Sequence, residues 1–323
     1  MRSSEARALI CCPRCAGALD DSFHCNSCAI EYAEREGVLD LRVPLAGVSD
    51  QVRAFYSESP FPNYPPFDSL GWLRARSERS ALLRLLDEAI PRDASVLDLG
   101  CGTGQAALFL ASAGRTVIGA DLTRASLELA ASAARRYGVD SALFVETDLL
   151  APGLRAGSFD VVHCSGVLHH TADPAASFAA AARLVRPGGV LLVGLYNLFA
   201  RIPHRARRLL ARLTGLRSAL LDPVLRERDA EPERRKAWLR DQYLHPVERS
   251  HTVAELRGWY QANDFEWLRS FPSAQLGPAE PSAETMFESE DYWPPEAICA
   301  QFGWAAQLGH EGGLFFGIGC RRG

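Results

Sequence analysis

A chain of 323 residues that is 47% apolar and carries a formal charge of -4 has material for one large core and a small satellite, roughly two domains at typical sizes. The slightly acidic balance weighs against a general nucleic-acid binder, whose domain is expected to be strongly basic. No apolar run is long enough to cross a bilayer, and Met1 to Ile10 lacks the apolar core of a secretory signal, so a cytoplasmic protein without a transmembrane segment is expected.

The first chemistry along the chain is Cys12-Pro13-Arg14-Cys15, followed by Cys25-Asn26-Ser27-Cys28. Two C-x-x-C turns each point a pair of thiolates at one ion, which suits a tetrahedral Zn2+ held by Cys12, Cys15, Cys25 and Cys28. Cys11 is an alternative to Cys12, although the two-residue gap to Cys15 favours Cys12. Four thiolates leave no open coordination position, so the role expected of the metal is structural. Disulfides are the competing reading and need an oxidising compartment. With Cys15-Ala16-Gly17, Tyr32 and Gly37-Val38-Leu39-Asp40-Leu41 around these turns, residues 1–45 resemble a zinc ribbon.

Residues 46–90 are expected to form a linker and an N-terminal cap. Phe55 to Pro66 is rich in aromatics and prolines and therefore stiff, which suits a pad against the core or a wall of the substrate pocket, with Tyr56 and Tyr64 as candidates for the latter. Trp72 to Ile90 reads as one helix leading into a domain of residues 91–323.

Val96-Leu97-Asp98-Leu99-Gly100-Cys101-Gly102-Thr103-Gly104-Gln105 reads as a buried strand turning through three glycines into a helix. Glycine has no Cβ to keep a ligand away from the backbone. Two cofactors compete for the turn. Gly102 to Ala107 satisfies the dinucleotide pattern, with Asp121 at the distance of a ribose-binding acid. A pyrophosphate would, however, be repelled by Asp98 in the same loop. S-adenosylmethionine carries a sulfonium and an ammonium, which an acid favours, and Asp121 remains available for the ribose hydroxyls.

Further strands are expected at Thr116 to Ala120, ending on Asp121, at Ala142 to Val145, followed by Asp148, and at Phe159 to Cys164. Then come Ser165-Gly166-Val167-Leu168-His169-His170, an alanine-rich helix to Arg186, a turn at Pro187-Gly188-Gly189 and a fifth strand, Val190 to Leu195. In this register the chain resembles the class I S-adenosylmethionine-dependent methyltransferases. The resemblance implies an α/β, Rossmann-like fold with a mostly parallel seven-stranded sheet and helices on both faces. It also implies that Gly100, Gly102 and Gly104 cradle the methionine part, that Asp121 holds the ribose and that Asp148 faces the adenine amino group. Asp98, Leu122, Leu149 and Ser165 complete the expected cofactor side. Zinc ribbons fused to or partnering such enzymes make docking of a protein through residues 1–45 a further expectation. Cys101 and Cys164 are expected to pack as small apolar groups.

A helical insertion is expected at residues 197–251. Arg201, Arg205, Arg208 and Arg212 fall on one helix face, and Leu209, Leu213 and Leu216 on another. A solvated face is the ordinary explanation, while an anionic acceptor or an acidic membrane surface are the alternatives. Asp241 to His251 is dense in groups able to bond a substrate. Thr252 then caps a helix running to Asn263, Phe265 to Phe271 and Gly313 to Cys320 form the last strands, and Pro272 to Pro295 is an irregular loop between them.

Methyl transfer asks the protein to align the acceptor and, where needed, remove its proton. His169 and His170 follow the fourth strand, where the resembled family places acceptor-side groups, and they are the candidate bases, with His245 behind them. A histidine that only packs or bonds backbone is the alternative for each. Tyr64, Tyr196, Arg205, Arg208 and His251 are the candidate substrate-binding residues. The run His163-Cys164-Ser165-Gly166 is unlike the Asn/Asp-Pro-Pro-aromatic run of many base-amine methyltransferases. A small-molecule acceptor is therefore expected ahead of RNA or protein, and a cofactor-binding subunit without turnover is the reading from another class.

Overall fold

The computed structural model describes residues 4–43, 53, 57, 68–214, 222, 225, 238–244, 248–277, 280–308 and 312–323. Tyr56, Tyr64, Leu216 and His245 lie outside the described residues.

Apolar runs with little alternation belong to strands covered on both faces, and that is where they fall. Strands β5 (Ser95–Leu99), β6 (Thr116–Asp121), β7 (Ala142–Glu146), β8 (Phe159–Ser165) and β9 (Val185–Tyr196) form the parallel centre of one sheet. Val96, Val117, Phe144 and Val161 point to one face, packed under Leu108 of α4 (Gln105–Ala111) and Leu127 of α5 (Arg124–Tyr137). Leu97, Ile118, Leu143 and Val162 point to the other, with Phe178 of α6 (Pro174–Ala182) and Tyr260 of α8 (Val253–Ala262). Beyond β9 lie β11 (Leu314–Arg321), antiparallel to it, and β10 (Phe265–Phe271) at the edge. These are the seven strands of the expected fold.

The sheet does not stop there. The N-terminal module contributes β4 (Val38–Asp40), which pairs in parallel with β7, and β3 (Glu34–Arg35) outside it, giving nine strands in the order β10-β11-β9-β8-β5-β6-β7-β4-β3. A separate hairpin of β1 (His24–Cys25) and β2 (Ile30–Glu31) holds the second cysteine turn. Helix α1 (Ser4–Ala8) opens the module. Ile10, Cys12, Phe23, Tyr32, Leu39 and Leu41 join the same core cluster as the central strands. The module thus covers one face of the sheet and caps its β7 edge. Cys11 N–H donates to Gly153 O (2.9 Å), Leu41 N–H to Glu146 O (2.9 Å), and Arg42 pairs with the buried Glu146 (3.2 Å).

Three local expectations are revised. The single helix from Trp72 to Ile90 is two, α2 (Leu70–Ser77) and α3 (Ala81–Ala89), because the Ser80 hydroxyl accepts from Leu83 N–H and starts a new helix. The helix before β9 ends at Ala182, and Pro187-Gly188-Gly189 bulges from a strand already under way, since Phe159 pairs with Val185 but Val161 with Val190. Residues 280–293 fold onto the sheet, burying Met286 and Glu290, and lead into α9 (Pro294–Gln307), a helix not among the expected elements. Thr252 caps α8 as expected, accepting from Glu255 N–H.

Candidate active site

The glycine turn sits where β5, β6 and β8 end side by side. Gly100 has φ +77°, and a Cβ there would lie 2.0 Å from Val167 Cγ2, so only glycine lets the loops after β5 and β8 touch. Gly104, also at φ +77°, starts α4 and would meet Ala130 and Phe144. Gly102 shares the left-handed conformation. The result is a side-chain-free ledge of three glycines in five residues.

Asp98, expected to face the cofactor's cationic groups, lies beneath the ledge. One oxygen contacts His163 Nδ1 (2.8 Å) and the other accepts from Ala107 N–H (3.1 Å), and both side chains are buried. The carboxylate therefore braces the turn between β8 and α4. His163 was not foreseen as a partner. It faces Asp98 across the β5–β8 pairing, a relation that exists only once the strand order is known.

Asp121 closes the second corner. Its Oδ2 accepts from Gly102 N–H (2.8 Å) and its Oδ1 from Thr123 N–H (2.8 Å), and burial pushes its carboxyl up from the usual range. Each oxygen keeps a lone pair, so a ribose diol can still donate to it. Leu122 beside it and Leu149 after β7 are half-buried. Asp148, buried, accepts from Leu150 N–H (2.8 Å) in a local turn. Ser165 ends β8 next to Gly166, whose N–H donates to Gly194 O (3.2 Å). Residues 98–105 contain no arginine or lysine. A bare ledge with Asp98 beneath it and Asp121 at its corner fits a sulfonium cofactor.

On the neighbouring strand ends a second cluster assembles. His169 and His170 form a tight turn after β8, and Tyr196 ends β9. All three are buried, with the His169 ring 4.1 Å from Tyr196 and 4.2 Å from His170. Behind Tyr196 lies a polar network that the sequence reading missed. The Arg201 guanidinium covers its ring at 3.8 Å, and Gln242 Nε2 donates to its hydroxyl (2.6 Å). Arg201 also donates to Gln242 Oε1 (2.5 Å) and Gly312 O (2.7 Å) and pairs with Glu248 (2.6 Å). Arg208 reaches the same Glu248 (3.1 Å).

The expected arginine face is accordingly split. Arg201 and Arg208 turn inward to Glu248, whereas Arg205 is exposed. His251 donates its N–H to Tyr196 O (2.8 Å), while its ring lies against Trp259 and pairs with Glu255 of α8 (3.0 Å). Burial, with the Asp98 charge nearby, pushes the thiols of Cys101 and Cys164 well up, away from a nucleophilic thiolate.

The four N-terminal cysteines converge as their spacing required. Their sulfurs all lie within 4.8 Å of one another, with Cys12 3.9 Å from Cys28 and Cys15 3.6 Å from Cys25. Tetrahedral zinc with thiolate bonds of about 2.3 Å spaces its sulfurs by about 3.8 Å, so the donor set fits that ion. Cys11, whose backbone bonds Gly153, is not among the four. The Tyr32 hydroxyl lies 3.1 Å from Cys12 Sγ and would orient that ligand.

Residues 97–193 match the family model described as a methyltransferase domain. Over those residues the chain carries a methyltransferase domain. An uncharacterized protein of Synechococcus sp. is 29% identical over 78% of this chain and 63% of its own length. A ubiquinone biosynthesis O-methyltransferase of Thiobacillus denitrificans is 40% identical over 120 residues, 36% of this chain and 50% of that enzyme. The chain thus spans about half to 63% of the length of these relatives. In fold it is similar to PKMT2 from Rickettsia typhi, solved with AdoHcy, at a TM-score of 0.50, 16% identity and coverage of 80% of this chain and 55% of that one. Among the described residues no helix is long and apolar enough to cross a membrane.

Proposed function

We propose that this methyltransferase passes a methyl group to a small-molecule acceptor, with oxygen as the favoured acceptor atom. The observation that carries the reading is the buried group of His169, His170 and Tyr196 beside the glycine ledge. It is too enclosed for a folded macromolecule, yet it carries imidazoles and a phenol suited to orienting a hydroxyl. The names of the ubiquinone-biosynthesis relatives support an oxygen acceptor.

When bound, S-adenosylmethionine supplies an electrophilic methyl carbon on a good leaving group. Gly100, Gly102 and Gly104 give it backbone contact, Asp121 accepts from its ribose, and Asp148 with Leu122, Leu149 and Ser165 lines the adenine side. Asp98 acts through the loop it braces. A ring nitrogen of His169 or His170 takes the acceptor's proton as the new bond forms. Tyr196, held by Gln242 and Arg201, positions the acceptor, and Arg208 serves by fixing Glu248. Arg205 and His251 belong to the rim, and Tyr64 and His245 remain candidates outside the described residues. Cys12, Cys15, Cys25 and Cys28 hold a structural Zn2+. Residues 1–45 then act as a metal-held buttress, 46–90 as a cap, and 91–323 as the methyltransferase domain with its insertion at 197–251.

The test is incubation with S-adenosylmethionine labelled on its methyl group and with separate metabolite, RNA and protein fractions of a cell extract. Label is expected in organic-soluble metabolites, with the rate strongly lowered in His169→Ala but S-adenosylhomocysteine binding retained. Label only in RNA or protein would overturn the acceptor class, and no label in any fraction would leave a cofactor-binding subunit.

A further inference from the structure

Helix α7 (Ile202–Leu213) turns its apolar side the wrong way for a soluble domain. At about 100° per residue, Ile202, Ala206, Leu209 and Leu213 share one side, and His204 and Ala211 lie opposite. The buried residues of α7 are His204 and Ala211, packed on Tyr243 with Leu225 and Leu239. The leucine side faces out, with Ile202 51%, Leu209 60% and Leu213 77% exposed. The helix carries no acid, and Arg205 and Arg212 are exposed along the flank of the apolar strip. The apolar surface continues past the helix start, where Phe199 meets the exposed Phe302 of α9 (ring centroids 4.4 Å), with Ile298 exposed one turn before it.

We propose that this outer face docks on an anionic lipid bilayer, lying in the headgroup plane with Ile202, Leu209 and Leu213 inserted and Arg205 and Arg212 on the lipid phosphates. Leucines aimed at water and flanked by guanidinium groups, on a helix without a carboxylate, are complementary to acyl chains beneath negative headgroups. A solvated face would carry polar groups where these leucines stand. Arg201, the residue just before the helix, covers Tyr196, so the docked face would place the acceptor cluster beside the lipid surface. The proposal is independent of which acceptor is methylated.

Flotation of the full chain with vesicles tests it. Binding is expected to vesicles of equimolar phosphatidylcholine and phosphatidylglycerol, but not to phosphatidylcholine alone, and added salt should weaken it. Leu209→Gln with Leu213→Gln should weaken binding by about tenfold or more. Arg205→Gln with Arg212→Gln should weaken it and flatten the salt dependence. S-adenosylhomocysteine affinity, measured by calorimetry, should be unchanged in both variants and shows that each is folded. Absence of flotation, or flotation undiminished by the leucine pair, would overturn the proposal. So would a dimer that the leucine pair dissolves without affecting flotation, which would make the face a contact between copies.

Discussion

Asp121 holds the turn in shape with the same two oxygens that are proposed to accept from a ribose. Gly102 and Thr123 amides occupy one lone pair on each oxygen, which fixes the carboxylate plane before the cofactor arrives. Asp121→Asn replaces one acceptor oxygen by a donor facing an N–H. The loss of a charge-assisted bond costs about 1.5–3 kcal/mol, so S-adenosylmethionine affinity should fall by roughly tenfold or more in calorimetry. His204 makes a second residue-scale case. Burial, and then the Arg201 charge, push it down to about 4 from 6.5. Between these values the unfolded chain binds the extra proton, so the contribution is full above about pH 6.5 and is lost as pH falls toward 4. Thermal melts from about pH 7 to about pH 5 should show wild type losing more stability than His204→Gln, by at most about 2 kcal/mol.

At the scale of elements, buried charge and the cysteine cluster do the joining. Arg115 is fully buried at the start of β6, where it pairs with Asp87 (2.6 Å) and donates to the carbonyls of Asp87, Ile90, Pro91 and Leu110. It thereby ties α3 and α4 to the sheet. Arg115→Ala should cost about 3 kcal/mol in urea unfolding, the low end for a broken buried pair, because Arg92 still reaches Asp87. The cysteine turns pin β1 and the segment before it. Purified protein should hold about one zinc, and Cys25→Ser should lose it. Because Cys12 and Cys25 share a core cluster with Leu97 and Ile118, calorimetric melting of the whole chain should then shift downward in one transition. A lowered transition beside an unshifted main one would show the module melting alone.

Across the whole molecule, the N-terminal module serves as edge cover as well as the seat of the four-cysteine cluster. An uncovered parallel strand offers unpaired backbone to other chains, and β4 supplies β7 with its partner from Val38 to Asp40. A chain lacking residues 4–43 should expose that edge and the apolar face under Ile10 and Phe23. It is expected to aggregate or bind a hydrophobic dye at concentrations where the full chain stays monodisperse by light scattering. A soluble, cofactor-binding truncation would show the ribbon to be dispensable for the fold.

The sequence by itself determined what depends on local chemistry and short spacing. The glycine ledge, the acids ending successive strands, the paired cysteine turns and the Thr252 cap are each encoded within a few residues, through backbone freedom, ligand reach or hydrogen-bond geometry. Only the tertiary structure decided what depends on register and packing. It placed His163 against Asp98 across two strands, gathered Gln242 and Glu248 onto Arg201 from some forty residues away, and drew the ribbon into the sheet. It also turned the leucines of α7 outward. Periodicity names the apolar side of a helix, but which side is buried depends on the surfaces available to cover it, and here His204 and Ala211 found one in Tyr243 while Leu209 and Leu213 remained exposed.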